Sequence, residues 1–229
     1  TVGWLRPQQA TLLPLEDGKP TLPSVVFFNA EEDTVRFGRA GLQDYLDGHE
    51  GRLMRSLKSL LGSSLIDGVT EVQGRPIRFR DLLTQFIATL KTRAEAHGGR
   101  SFNQAVFGRP VHFVDDDTAA DRLAEATLGE IARAVGFKEL SFQYEPIAAA
   151  FHYETSLARE EVVLVADIGG GTSDFSIVRL SPDRVHAVDH WSDVLANDGI
   201  HIGGTDFDKQ LSLAEVMPLL GHRSQLKSG

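Results

Sequence analysis

The 229-residue sequence contains no cysteine. Disulfide bridges and thiolate metal centres are thereby excluded, and the composition suits a reducing compartment, so a cytoplasmic location is the expectation. A run of about 18 apolar residues is also missing, which leaves no membrane-spanning helix to propose. The first residues, Thr1-Val2-Gly3-Trp4-Leu5, lack the basic start and long apolar stretch of a secretory signal. Positive charge is in deficit: 23 Lys and Arg against 32 Asp and Glu give a formal net charge of −9. Nucleic acid is therefore not an expected partner, and a phosphate ligand has to be held by local geometry rather than by a basic surface. The eight histidines are scattered. His186 and His190 are four apart but lie in a segment that reads as a strand, so no zinc site is expected.

What is present is an ordinary globular composition, 41% hydrophobic and 24% charged, which can fill a sizeable core. The length accommodates one large or two modest domains. Three short strands are predicted first: Thr1–Leu5, Ala10–Leu15 and Ser24–Phe28, separated by polar, Pro- and Gly-containing turns. From Arg52 to Leu61, the spacing of Leu53, Leu57, Leu60 and Leu61 predicts a helix stopped by Gly62. A second helix is predicted over Asp81–His97, with Leu82, Leu83, Phe86, Ile87 and Leu90 as its apolar stripe and Gly98-Gly99 as its end. Gln104–Phe107 reads as a buried strand. Asp115-Asp116-Asp117 precedes a helix running to Val135; three acids invite a metal reading, but a helix N-terminus also favours negative charge, and capping is the expectation.

The second half changes to a meander. Val162–Ala166 reads as a fully buried strand, Phe175–Leu180 as its neighbour, and Val185–Trp191 as the third strand after the turn Ser181-Pro182-Asp183-Arg184. A helix follows Gly203-Gly204, beginning near Asp206. The pair of strands at the chain start resembles the second and third strands of this meander, so the two halves share a plan if the first strand and its turn lie upstream.

Between the first two meander strands stands Asp167-Ile168-Gly169-Gly170-Gly171-Thr172-Ser173-Asp174. Glycine is needed where a backbone takes positive φ or approaches a ligand closely. Consecutive amides in such a bend can form a nest for phosphate oxygens, Thr172 can add a hydroxyl, and the Asp167 carboxylate can hold the hydrated magnesium that accompanies a nucleotide. Other Gly-rich motifs do not fit: a P-loop needs a Lys and a following helix, and the dinucleotide fingerprint fails at Asp174. A tight hairpin with no ligand is the plain alternative. Gly203-Gly204-Thr205-Asp206-Phe207-Asp208 fits a helix entry in which Thr205 and Asp208 form a capping box, or one whose N-terminal amides receive an anion. Glu145-Pro146-Ile147-Ala148-Ala149-Ala150 opens another helix with Pro at its favoured first position and a small-residue surface.

Taken in order, these pieces resemble the nucleotide-binding domain of DnaK-type heat-shock chaperones over nearly the whole chain. Lys58-Ser59-Leu60-Leu61-Gly62 resembles the family's catalytic-lysine helix. Ala105–Phe113 is similar to its V-V-T-V-P-A-Y-F strand, and Glu145–Ala150 to its E-P-T-A-A-A crossing helix. Asp167–Asp174 resembles the phosphate motif D-L-G-G-G-T-x-D, and His201–Asp208 the motif H-L-G-G-E-D-F-D. The variations lie nearer the YegD-like branch of small relatives, thought to lack a peptide-binding domain, so chaperone activity there rests on analogy.

The resemblance implies an actin-like (ribonuclease H-like) α/β fold of two lobes, each with a mixed five-stranded sheet, flanking a cleft for ATP or ADP and Mg2+. Lobe I would cover residues 1–158 and lobe II would begin at 159–229. It further implies that Lys58 stabilises charge on the transferred phosphoryl group, and that Glu145 and Asp167 hold magnesium through water. Gly169, Gly170, Gly171 and Thr172 would contact phosphates, Thr172 would help place the attacking water, and Gly203 and Gly204 would contact the nucleotide from the second lobe. Such chemistry is positioning and charge neutralisation. Read from the residues alone, Lys58 is a solvated lysine opposite a leucine stripe. The expected function is that of a heat-shock, stress-response chaperone-like ATPase, with client proteins and co-chaperones as partners. A sugar or acetate kinase and a filament-forming actin relative are the alternatives on the same fold. The family's first phosphate motif, D-x-G-T-x-x-S, and its adenosine-binding region are not in the sequence. Weak or no nucleotide binding and negligible hydrolysis by this piece are therefore expected, since phosphates open to water gain little from each contact.

Overall fold

The computed structural model describes residues 1–6, 9–185 and 191–225. Its elements run β1 (Gly3–Arg6), β2 (Gln9–Leu12), β3 (Val25–Asn29), β4 (Thr34–Phe37), α1 (Arg39–Leu46), β5 (Gly51–Arg55), β6 (Val69–Val72), β7 (Arg75–Arg78), α2 (Phe79–Gly98), β8 (Gln104–Arg109) and α3 (Thr118–Ala134). After these come β9 (Glu139–Tyr144), α4 (Glu145–Glu154), β10 (Glu161–Ile168), β11 (Ser173–Leu180), β12 (Val194–Ile200) and α5 (Gly204–Leu211). The chain divides into two compact units: residues 1–107 with 117–142, and residues 108–116 with 143–229. The lobe boundary expected at 158/159 lies inside the second unit. Among the described residues the sheets contain two or three strands each, where the resemblance implies five. No helix among the described residues is long and apolar enough to cross a membrane.

In the first unit β3 is the central strand of an antiparallel β4–β3–β5 sheet, and all five of its residues are buried. Val25, Val26, Phe27 and Phe28 are strong β-formers, and a strand covered on both faces reads as a continuous apolar run. The helix predicted over Arg52–Leu61 is not formed. Leu53 and Met54 pair with Phe27 and Val26 in β5. Ser56 then takes left-handed dihedrals (φ 56°, ψ 40°), and Leu57–Leu60 closes only one 3-10 turn. The leucine spacing suited a helix, but edge pairing with the buried β3 ladder wins locally, as tertiary context commonly does over propensity. Lys58 therefore sits half-buried in a 3-10 turn. Helix α2 buries Leu82, Leu83, Phe86, Ile87 and Ala94, the expected stripe with Ala94 in place of Leu90. Gly99 ends it at φ 65°, the left-handed position that favours glycine. The Asp117 carboxylate accepts from the amides of Ala119 and Ala120 at 3.0 Å, so the third acid of the triplet caps α3. Strand β8 is not buried as predicted; its residues alternate, and Val106 is 69% exposed.

The second unit is built on the antiparallel meander β10–β11–β12. Val163 faces Val178 and Val165 faces Ser176 across the first pair. Ile147 and Ala150 of α4 join Val178 and Leu180 in a buried cluster, with Val163, Val165 and Val194 packed against it. The fully buried strand predicted over Val162–Ala166 is instead half-buried: Val162 and Leu164 are 61% and 65% exposed on the other face. A short apolar run cannot distinguish one covered face from two. The strand predicted over Val185–Trp191 falls largely on residues 186–190, outside the described residues; the third strand is β12, preceded by a short turn at Trp191–Asp193. Helix α5 starts at Gly204, two residues before the predicted point.

Ile147→Ala should destabilise the protein by about 2–5 kcal/mol in urea denaturation, the usual cost of emptying a buried aliphatic site. Val162→Ala on the exposed face should stay within about 0.5 kcal/mol.

Candidate functional site

The register fixes where the glycine-rich bend stands. Ile168 pairs with Ser173 at the last step of the β10–β11 ladder, so Gly169–Thr172 is the hairpin loop. The Gly169 amide closes it on the Thr172 carbonyl at 2.9 Å. That amide was expected to face a phosphate; it is engaged instead. No acceptor meets the amides of Gly170 and Gly171 among the described residues. Positive φ was one expected reason for these glycines, and Gly169 and Gly170 do not take it. Nor does crowding by protein explain Gly170, where an added Cβ meets nothing within 4 Å.

The bend is held from one side by α5. Gly204 N donates to Gly169 O at 2.9 Å and Thr205 N to Gly170 O at 2.9 Å. The Thr205 hydroxyl adds a 2.6 Å bond to the same Gly170 oxygen. Helix N-terminal amides lack intrahelical partners, and here the carbonyls of the bend supply them. The expectation that the amides after Gly203-Gly204 stand open to an anion is thus corrected. So is the Thr205/Asp208 capping box: Gly203 is the N-cap, and its amide donates to the Asp206 carboxylate at 3.0 Å. A Cβ on Gly203 would lie 2.7 Å from the carbonyl carbon of Gly170 and the nitrogen of Gly171. Only glycine lets these two backbones meet.

Asp167 and Asp174 are direct cross-strand partners on the face that α4 covers. Asp174 is buried. Val111 N donates to its Oδ1 at 2.7 Å and the Thr172 hydroxyl to its Oδ2 at 3.0 Å. Burial pushes the Asp174 carboxyl up from its ordinary value of 3.8, the charges of Glu145 and Asp167 push the same way, and the two hydrogen bonds oppose them. Glu145 is the first residue of α4, where a negative charge favours the helix dipole. Its side chain crowds Gly108, at which a Cβ would lie 3.1 Å from Oε1. Among the described residues no group of three or more His, Asp or Glu is arranged to hold a metal ion directly.

Asp167, Gly169–Thr172, Gly203 and Gly204 thus stand together in the second unit, with Glu145 close enough to act on Asp174 electrostatically. Lys58 belongs to the first unit. Two side-chain contacts that were not read from the sequence organise the site. Asp174 was legible as a polar residue at an inward register position opposite Asp167; the side-chain bond of Thr205 had no sequence signal.

Gly203→Ala should lower stability by about 1–3 kcal/mol, because backbone must shift to admit the methyl. Gly170→Ala should be near neutral in the same urea experiment. A carboxyl whose value is raised on folding binds more protons in the native state, so its contribution weakens as pH climbs above 3.8. Asp174→Asn keeps an acceptor for Val111 and removes this titration. The stability of the wild type relative to Asp174→Asn should therefore fall between pH 4 and pH 7; a flat or rising difference contradicts the assignment.

The geometry can be set beside known proteins. A family profile described as "Hsp70 protein" matches residues 67–216. "Chaperone protein DnaK" of Thermosipho africanus is 30% identical over 212 residues, covering 92% of this chain and 32% of the relative. "Chaperone protein DnaK" of Thermotoga maritima is 31% identical over 213 residues, covering 92% and 33%. "Chaperone protein HscA homolog" of Pseudoalteromonas atlantica is 32% identical over 231 residues, covering 92% and 34%. The chain spans about a third of the length of these relatives. A profile match over this stretch, which takes in the Asp167–Asp174 hairpin and the Gly203–Asp208 helix entry, shows that the chain belongs to the Hsp70 family.

Proposed function

We propose that this chain receives the phosphates of ATP or ADP at the Gly169–Thr172 bend, as part of a DnaK-type chaperone ATPase of actin-like fold. One observation carries the reading. The amides of Gly170 and Gly171 have no acceptor among the described residues, and neither φ nor protein crowding requires glycine at 170. Close approach by a ligand does require it. A chain of net charge −9 offers no general pull on an anion, so such amides are the fitting donors.

The carboxylates fit a nucleotide-bound cation. Asp167 and Asp174 face each other across the ladder, and like charges so placed are unfavourable. Glu145 adds to the same negative field. Asp167 and Glu145 would hold hydrated Mg2+, which when bound neutralises phosphate charge. Thr172 donates its hydroxyl to Asp174, so its oxygen lone pairs are the part left for a water. Lys58 would supply positive charge to the phosphoryl group. Gly203 and Gly204 act by seating the bend, which supports a contributing rather than a contacting role. Lobes divided at 158/159, kinship with the YegD-like branch, clients and co-chaperones as partners, and a cytoplasmic setting complete the proposal.

Isothermal titration with Mg-ADP should give binding weaker than micromolar. Gly170→Val should abolish it while leaving the thermal midpoint close to that of the wild type. Equal affinity in the variant, or no heat at millimolar Mg-ADP for the wild type, overturns the reading.

A further inference from the structure

Thr205 stands where the DnaK-type pattern H-L-G-G-E-D-F-D has glutamate. An ionised carboxylate only accepts hydrogen bonds, so it cannot donate to a carbonyl. The threonine hydroxyl does donate, to Gly170 O at 2.6 Å, and the amide of the same residue reaches that oxygen at 2.9 Å. A carbonyl oxygen has two lone pairs, and both are taken by one residue of α5.

We propose that Thr205 is a positioning residue for the phosphate-binding bend: it fixes the Gly170 carbonyl on α5 and thereby turns the Gly171 amide away from α5, toward the ligand. The inference rests on the nucleotide-binding reading above. Its physical basis is the planar trans peptide, in which the carbonyl of residue 170 and the amide of residue 171 point in opposite directions. Holding one therefore aims the other. Gly204 does the same for the preceding unit, since its bond to Gly169 O aims the Gly170 amide outward. That bond is backbone only and survives most substitutions; the hydroxyl bond is the part that sequence can change. The seat itself is close-packed, with Gly203 directly against Gly170 and Gly171, so the bend has little room to rotate while the bonds hold.

The test uses Thr205→Val, which keeps the shape and loses the hydroxyl, and Thr205→Ser, which restores a donor. Circular dichroism confirms that each is folded. Amide exchange by NMR should quicken about fivefold at residues 204 and 205 in the valine variant, the worth of one neutral hydrogen bond, and the Gly171 amide resonance should move. Mg-ADP affinity should weaken by about the same factor, and the serine variant should return all three readings to wild type. Wild-type exchange and an unmoved Gly171 resonance in Thr205→Val overturn the proposal, as does failure of serine to restore them. If wild-type protein shows no Gly170 or Gly171 shift at millimolar Mg-ADP, the nucleotide reading fails instead, and the exchange rates still decide whether Thr205 holds the bend.

Discussion

A peptide unit cannot turn its carbonyl and its amide independently. The second unit is organised around that constraint. Three donors at the start of α5 take the carbonyls of Gly169 and Gly170, and the two following amides are left facing away from the helix. Satisfying the orphan donors of α5 and presenting donors from the hairpin are therefore one event. A free helix N-terminus would bind an anion with its own amides. Here the α5 amides are spent on the carbonyls of Gly169 and Gly170, and under the proposed function that capacity is relayed through these two peptide planes to the bend. The relay requires contact between backbones, which is why Gly203, rather than Gly169 or Gly170, is the position with no room for a side chain.

The carboxylates impose the opposing demand. Asp174 is buried under α4, beside Glu145 and across from Asp167. Burial without partners would be costly. Two donors meet Asp174, the Val111 amide from the segment before α3 and the Thr172 hydroxyl from the bend. Through these bonds one carboxylate ties the end of the bend to residues far away in sequence. The net effect on Asp174 remains a shift toward the protonated form, caused first by burial and only then by the charges of Glu145 and Asp167.

Much of this was legible in the sequence because it depends on local chemistry. The α2 stripe, the Asp117 cap, the proline-initiated α4 and the Asp167–Asp174 hairpin all follow from residues within one element. What was not legible depends on partners distant in the chain. Leu53, Leu57, Leu60 and Leu61 carry a helical spacing, yet Phe27 and Val26 claim β5 as a strand. The apolar run of β10 does not reveal that α4 covers one face only. The free state of helix N-terminal amides after Gly203-Gly204 could not be judged without knowing that the hairpin lies against them. The hydroxyl of Thr205 is the extreme case, because threonine early in a helix ordinarily signals only a cap.

The energetic scale explains why so few bonds suffice. A net hydrogen bond is worth about 1 kcal/mol, and ordering one residue's backbone costs about 1–2 kcal/mol. The Gly169–Thr172 loop has four residues to order, and its own closing bond supplies a single contribution. Left alone, the loop would sample many orientations, and its amides would find a phosphate only at an added entropic cost. The three bonds from α5 meet that cost during folding, before any ligand arrives. Removing one of them does not unfold the hairpin, whose ladder continues through Glu161 and Leu180; it restores freedom to the peptide planes that matter for binding. Under the proposed function, affinity for an anion is thus set in part by donors that never touch it.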